Sequence, residues 1–305
     1  MASRLWDQQR DLFGSLPEGF IANALSLTSP RDACRLSMVC SVFRSAAEWD
    51  AVWETFLPSD YQKIVAAAVE DGGDSLTFSS KKQLFLRLCD RPLIIDGGNK
   101  SFSLEKQSGK KCYMLGARDL SIVWGDTPRY WRWISMPESR FTEVAELISV
   151  CWFEVHGRIS TSMLSPDTCY VAFIVFKSTS ETYGFDYQPA EVSIGISGRK
   201  TQTQTVFLEP RSDQRRQHPV VPRRRMGMFH RGHRANPIGP INPSSNGNGP
   251  KEREDGWLEI ELGEYFIKKG EEGELEMSMT EVKGGNWKGA LVIQGIEIRP
   301  KICKS

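Results

Sequence analysis

The residues best suited to chemistry lie between Cys112 and Phe153, CYMLGARDLSIVWGDTPRYWRWISMPESRFTEVAELISVCWF. That stretch holds four of the nine tryptophans: Trp124, Trp131, Trp133 and Trp152. Gly125 and Pro128 interrupt the run between Trp124 and Trp131, so some of these rings are expected on a turn rather than inside one regular element. A large aromatic on a turn, with Asp126, Arg129 and Tyr130 beside it, suits a surface that holds something flat and partly polar. The competing reading is structural: large apolar side chains are mostly buried, and the same rings would plug the core of a β domain.

Bond-making chemistry finds little support. Glu259, Glu261 and Glu264 come nearest to a glycosidase pair. Glu259 and Glu261, two apart on a strand, share one face and sit closer together than an acid and base flanking a glycosidic bond. His230-x-x-His233 has neither carboxylate nor thiol beside it, which argues against a metal. No nucleophile elbow, P-loop or dinucleotide fingerprint occurs. The seven cysteines (Cys34, Cys40, Cys89, Cys112, Cys151, Cys169, Cys303) are scattered, odd in number and without a CxxC pair. Neither a disulfide framework nor a zinc site is expected, and most read as buried free thiols in a reducing compartment. The chain is not read as an enzyme, and no cofactor is implied.

The elements that must position the tryptophans change character along the chain. Residues 12–58 read as a compact helical block. Leu16-Pro17-Glu18 opens a helix with Phe20, Ile21, Ala24 and Leu25 on one face. Ser29-Pro30-Arg31-Asp32 opens a second, with Ser29 as N-cap and Leu36, Val39, Cys40 and Phe43 as a single stripe. A third carries Trp49, Val52, Trp53, Phe56 and Leu57 up to Pro58. A block this small buries little surface alone and needs a partner. Tyr61–Glu70 and Lys81–Asp90 read as further helices, so 59–90 is a helical linker.

After Asp90 the period shifts toward two. Short strands are expected from Leu93 to Ile298, with Glu138–Leu147 as the one helical interruption. Leu258, Ile260 and Leu262 alternate with Trp257, Glu259 and Glu261, the pattern of a half-buried strand. The fold class is therefore α+β: a small all-α block, then an all-β sandwich of jelly-roll type over 91–302. Residues 210–254 break the pattern with eight arginines from Arg211 to Arg234 and then Asn, Gly, Pro and Ser. They read as a disordered Arg-rich insertion. Arg223-Arg224-Arg225 could meet phosphates or serve nuclear import, but a basic loop without fixed geometry is the simpler account.

At 305 residues with a formal net charge of +1, the chain has room for two domains and no global drive toward nucleic acid or membrane. It lacks an eighteen-residue apolar run, and its polar start carries no signal-peptide stretch. The expectation is a soluble, cytoplasmic or nuclear protein.

Residues 12–58, with Leu16-Pro17, Ile21, Leu25, Asp32, Leu36, Val39-Cys40, Phe43 and Trp53, resemble an F-box. From Lys81 (KKQLFLRLCDRPLIIDGG) through Pro300 the chain resembles the phloem protein 2-like family, plant lectins related to the tobacco jasmonate-induced lectin. The blocks that carry this are Ala117–Ile122 with Trp124, Tyr130-Trp131 with Trp133, Ser139-Arg140-Phe141, and Gly295–Pro300. The Arg-rich insertion departs from the family pattern.

The F-box resemblance implies docking on a Skp-type adaptor, and through it on cullin, in a ubiquitin ligase. Leu16, Pro17, Ile21, Leu25, Leu36, Val39, Phe43 and Trp53 would form the contact. The lectin resemblance implies a shallow carbohydrate site. Trp124 and Trp131, seven residues apart, match the family's binding tryptophans, and Glu274 and Glu281 match its acceptors. Together they imply a substrate receptor whose sandwich selects a glycosylated or unmodified target protein. Two alternatives stay open: a ligase receptor that reads a peptide degron, and a lectin acting without a ligase, with the helical block as a brace.

Overall fold

The structure, a computed structural model, describes residues 16–68, 78–185, 188–199, 201–208 and 249–302. His230, His233 and the arginines from Arg211 to Arg234 lie outside the described residues, as do residues 12–15 and 69–77.

Six short helices open the described chain: α1 (Glu18–Ser26), α2 (Pro30–Leu36), α3 (Ser41–Ala46), α4 (Asp50–Phe56), α5 (Tyr61–Ala66) and α6 (Lys81–Asp90). Pro17 stands at the N-cap of α1, just ahead of its first turn. Ser29 caps α2 as expected, accepting the Asp32 N–H at 3.1 Å and donating its hydroxyl to the Asp32 carboxylate at 2.8 Å. The second expected helix is two. The chain tightens after Leu36, Cys40 turns extended (φ −156°) as the N-cap of α3, and so Leu36, Val39, Cys40 and Phe43 share no single helix face.

The core of the helical block continues into the rest of the molecule. Trp53 is fully buried, with its indole N–H on the Ala47 carbonyl at 2.7 Å. Phe85 of α6 packs on Trp53 and Phe56, with ring centroids 5.2 and 6.5 Å apart. Residues 59–90, expected as a linker, thus supply core side chains, Phe85 and Leu88 among them.

Among the described residues all strand pairings are antiparallel. The larger sheet runs β1 (Leu93–Ile95), β2 (Lys100–Leu104), β3 (Lys111–Gly116), β14 (Gly289–Pro300), β8 (Thr168–Tyr183), β12 (Leu258–Ile267), β11 (Lys251–Glu252). The pair β5 (Trp131–Ile134) and β6 (Val144–Leu147) joins it beside β14. The second sheet runs β10 (Gln202–Val206), β9 (Ala190–Ile196), β13 (Glu274–Glu281), β7 (Phe153–Ser160), β4 (Ser121–Ile122). Their inner faces share one core, where Ile174, Phe176 and Ile293 meet Val192, Met277 and Met279.

The helix expected over Glu138–Leu147 is absent. Residues 138–143 form an irregular cover and 144–147 are β6. Tertiary contacts override local propensity here. Phe141 and Val144 bury into a small second core with Met114, Val175, Val292 and Trp257, and the Trp257 indole N–H takes the Glu138 carbonyl at 3.2 Å.

The expected disordered insertion also ends earlier than residue 254. Lys251–Glu252 pairs with β12, and Arg253 is half-buried among carboxylates. Its guanidinium reaches Glu297 at 2.6 Å and Glu259 at 2.9 Å, while Arg299 reaches Glu259 at 2.6 Å. Glu259, expected on the solvated side of β12, is therefore buried in an ion network.

Candidate functional site

Two surfaces collect the candidate residues. On the helical block, Ile21, Leu25 and Trp53 are buried in the chain's own core, and Leu36 and Phe43 are half-buried against it. Leu16, Pro17 and Val39 are exposed. The eight therefore do not form one outward face. α1 explains why: Ile21, Ala22 and Leu25 point inward, so the opposite side carries Phe20, Ala24 and Leu27 at helical spacing. Phe20 is 63% exposed and Leu27 82%, and Met38 beside Val39 is also open. Sequence periodicity grouped Phe20 and Ala24 with the buried side; only the packing direction separates the two faces. What results is an apolar stripe on a block whose interior is already filled.

At the sandwich, Trp124 sits two residues after β4 at φ 57°, a left-handed conformation that a non-glycine residue rarely adopts. The turn that holds it is closed by backbone bonds from Gly125 N–H to Ile122 O (2.9 Å) and from Thr127 N–H to Trp124 O (2.9 Å). The ring is 44% exposed and rests on Tyr130, centroids 5.4 Å apart. Arg129 lies over Tyr130 at 5.9 Å. This is the expected aromatic on a turn.

Trp131 has a different place. It is 2% exposed, packs toward Phe153 and donates its indole N–H to the Val123 carbonyl at 3.2 Å. Trp133 donates to the Gly125 carbonyl at 3.1 Å and has Arg118 stacked on its face at 3.7 Å, itself paired with Glu143 at 2.9 Å. Neither ring is as open to solvent as Trp124. Both hold carbonyls of the residues next to it.

Glu274 and Glu281 cannot line one site. They stand at opposite ends of β13, seven positions and about 23 Å apart at the usual strand rise. An odd spacing on a strand also sends them to opposite faces. Glu274 is exposed on the outer face. Glu281 points inward, buried against Lys288, whose ammonium also donates to the Cys151 carbonyl at 2.8 Å. Glu281 accepts the Gly284 N–H at 3.0 Å as well, so its role is to brace the loop that presents Trp287.

The start of β7 adds groups that the candidate set lacked. Trp152 is 46% exposed, and its indole N–H donates to Glu154 at 2.7 Å; His156 bonds the other carboxylate oxygen at 2.7 Å. The Trp152 N–H, and then His156, hold the Glu154 carboxyl below the ordinary carboxylate range. The Val123 N–H bonds the Glu154 carbonyl at 3.1 Å, so this group adjoins the Trp124 turn. The sequence signal was the i, i+2, i+4 spacing of Trp152, Glu154 and His156 on one strand face.

Residues 110–300 match the family described as Phloem protein 2. The F-box protein PP2-B1 of Arabidopsis thaliana is 44% identical over 309 residues, spanning 95% of this chain and 90% of the relative. The putative F-box protein PP2-B12 of the same plant is 46% identical over 291 residues, 95% of this chain and 98% of the relative. Among solved structures, the GH26-CBM35 β-(1,4)-mannanase of Podospora anserina aligns with 64% of this chain and 28% of its own length. At 7% identity and a TM-score of 0.31 it is too remote to bear on function. A family match across the sandwich, with relatives that extend through the helical block and bear F-box names, places this chain in the phloem protein 2 family as a plant F-box protein.

Proposed function

We propose that the chain is a non-catalytic substrate receptor of an SCF-type ubiquitin ligase. Its helical block docks on a Skp-type adaptor, and through it on cullin, while the sandwich selects a glycosylated target protein. The observation that carries the docking half is the exposed stripe of Leu16, Phe20 and Leu27, with Met38 and Val39, on a block whose core is already closed. Burial of that stripe under a partner's groove would bring the sandwich's cargo near a charged ubiquitin carrier, so that rate is gained by proximity. The glycan half is supported by Trp124, an indole fixed outward on a braced turn, which offers an apolar face to sugar C–H groups.

Co-purification with a Skp-type adaptor tests the first half, and complex formation is expected. Binding to a printed N-glycan array, lost in Trp124→Ala, tests the second. A client still ubiquitinated with no glycan retained would select the peptide-degron reading. Glycan binding without any adaptor would select a lectin acting alone.

A further inference from the structure

A strand at the end of a sheet leaves a row of backbone groups unpaired, and that row invites another strand unless the edge is short, charged, bulged or covered. Four strands end the two sheets: β1, β11, β4 and β10. The first three run for three residues or fewer, and β11 is Lys251 and Glu252 alone. β5, the outer strand of the side pair, carries Arg132 in an ion pair with Glu146 at 2.6 Å. Past the reach of β11, β12 is bulged between Glu261 and Gly263 and carries Glu261 and Glu264. β10 (Gln202–Val206) has none of these guards. It holds no charge, proline or glycine, pairs with β9 through all five residues without a bulge, and leaves four of the five exposed.

The register tells which of its groups are open. The Ser197 N–H bonds the Glu274 carbonyl at 3.0 Å, in line with the pairing of Ile196 and Leu275, so the odd-numbered residues of β9 turn their peptide groups toward β13. Ala190, Val192 and Ile194 therefore turn theirs toward β10, where they meet Val206, Gln204 and Gln202. Thr203 and Thr205 are left with N–H and C=O directed away from the sheet, on a side where no described strand lies. Gln204 and Val206 share the inner face with the buried Val192 and Ala190. Beside them is a cleft of about 30 Å³, lined also by Ile260, Lys251 and Glu261. It has room for a small side chain only, and its two charges are of opposite sign.

An edge of this kind is satisfied by one thing, another extended backbone, and its neutral side chains favour a neutral partner. We propose that β10 is a strand-addition site for an extended, uncharged segment of another protein. The segment's backbone pairs with Thr203 and Thr205, and a small side chain of it faces the cleft beside Gln204. A pairing this short falls below the roughly 1,000 Å² expected of a lasting interface, so it suits a transient partner and not a stable dimer of this chain. The inference goes beyond the adaptor and glycan readings and depends on neither.

The test uses the full chain with short capped peptides of Thr, Val, Ala and Gln, and with copies N-methylated at odd or at even positions. An unmethylated peptide should be retained, and one of its two methylated copies should not, because its pairing amides are blocked. In the free protein, amide exchange read by NMR should be fast at Thr203 and Thr205 and slow at Gln202, Gln204 and Val206; with peptide bound it should slow at both threonines. Thr205→Pro removes an outward N–H and should weaken retention about tenfold with the melting temperature unchanged. Gln204→Pro removes a bond to β9 and should lower that temperature. If Thr205→Pro fails to fold, Thr203→Lys with Thr205→Lys guards the same edge. Protected threonine amides in the free protein would mean that the edge is already covered, and would overturn the inference. Retention of no peptide, equal retention of both methylated copies, or a dimer of the chain that Thr205→Pro dissolves would overturn it as well.

Discussion

The indole N–H of Trp131 holds the carbonyl of Val123 at 3.2 Å, one residue ahead of Trp124. Trp133 does the same for Gly125, one residue after it. Two neighbouring donors of β5 thus hold a carbonyl on either side of a residue whose left-handed backbone costs a side-chain-bearing residue about 1–2 kcal/mol. The exposed indole is thereby held in one place, which would reduce the ordering cost of the glycan contact proposed for it.

Trp131→Phe keeps a ring beside Phe153 and removes the donor. It should destabilise the protein by about 1–3 kcal/mol, because the Val123 carbonyl loses its partner. Trp124→Ala deletes an exposed ring and should cost less than about 1 kcal/mol. Denaturant unfolding of both variants checks the contrast. Equal losses would mean that Trp131 does not brace the turn.

The division of α1 into a packed and an open face gives a second contrast. Phe20→Glu with Leu27→Glu changes only exposed positions and should abolish adaptor capture while leaving the melting curve within about 1 kcal/mol of the parent. Leu25→Ala empties a core position and should cost about 2–5 kcal/mol. Pull-down and thermal melting, run on the same preparations, separate lost docking from lost fold.

Much of this architecture was legible along the chain, and the parts that were not share a cause. The change from helical period to alternation after Asp90 marked where helices give way to strands, and the Ser29 cap was readable because its partner Asp32 is three residues away. The odd spacing of Glu274 and Glu281 already implied opposite strand faces, once β13 is granted. Long-range partners were not readable. Glu259 looks solvated until Arg299, forty residues on, is brought to it at 2.6 Å. The 138–147 stretch looks helical until Trp257 and the second core claim it. Which side of α1 faces inward depended in the same way on α3 and α4.

The joint between helices and sandwich rests on a close backbone approach. Gly109, in the hairpin between β2 and β3, has φ 69°, and a Cβ there would lie 2.7 Å from the Phe56 carbonyl oxygen. Lys111 reaches Asp60 across the same joint at 2.7 Å, and Arg31 reaches Gln107 at 3.0 Å. Gly109→Ala combines left-handed strain with a clash against backbone, so a loss of about 2 kcal/mol or more is expected. Limited proteolysis should then release the helical block earlier than in the parent. An unchanged digestion pattern would show that the two parts do not depend on this contact.

The ion network behind β12 predicts acid sensitivity. Burial pushes the Glu297 carboxyl up, but its hydrogen bond to Arg253, with the charges of Arg140, Arg253 and Arg299, outweighs that and leaves it below the ordinary carboxylate range. A group depressed in the folded state contributes stability above its unfolded pKa of about 4.3 and loses it as pH falls through the folded value. Unfolding free energy should therefore fall below about pH 4.5, and Glu297→Gln should flatten that dependence while lowering stability at neutral pH. A pH series of denaturant melts measures both. An unaltered acid limb in Glu297→Gln would assign the sensitivity to other carboxylates.

Glu281 and Lys288 give the sharpest division between two roles. The resemblance to lectins made Glu281 a sugar acceptor, yet its side chain faces the core, paired with a Lys288 that has no exposed surface. Were Glu281 to touch a sugar, Glu281→Gln would cut glycan affinity and spare stability. A buried pair broken on one side should instead cost about 3–5 kcal/mol, since the Lys288 ammonium is left without its counter-charge. Lys288→Met should cost a similar amount, and Glu281→Leu with Lys288→Met should recover much of either loss, because replacing both charges leaves neither one stranded. The loop from Val282 to Trp287 would loosen in the single variants, as Gly284 and Cys151 lose partners on the same pair. A double-mutant cycle on unfolding free energies reads the coupling. Additive losses, or a binding defect in Glu281→Gln at full stability, would return Glu281 to the ligand.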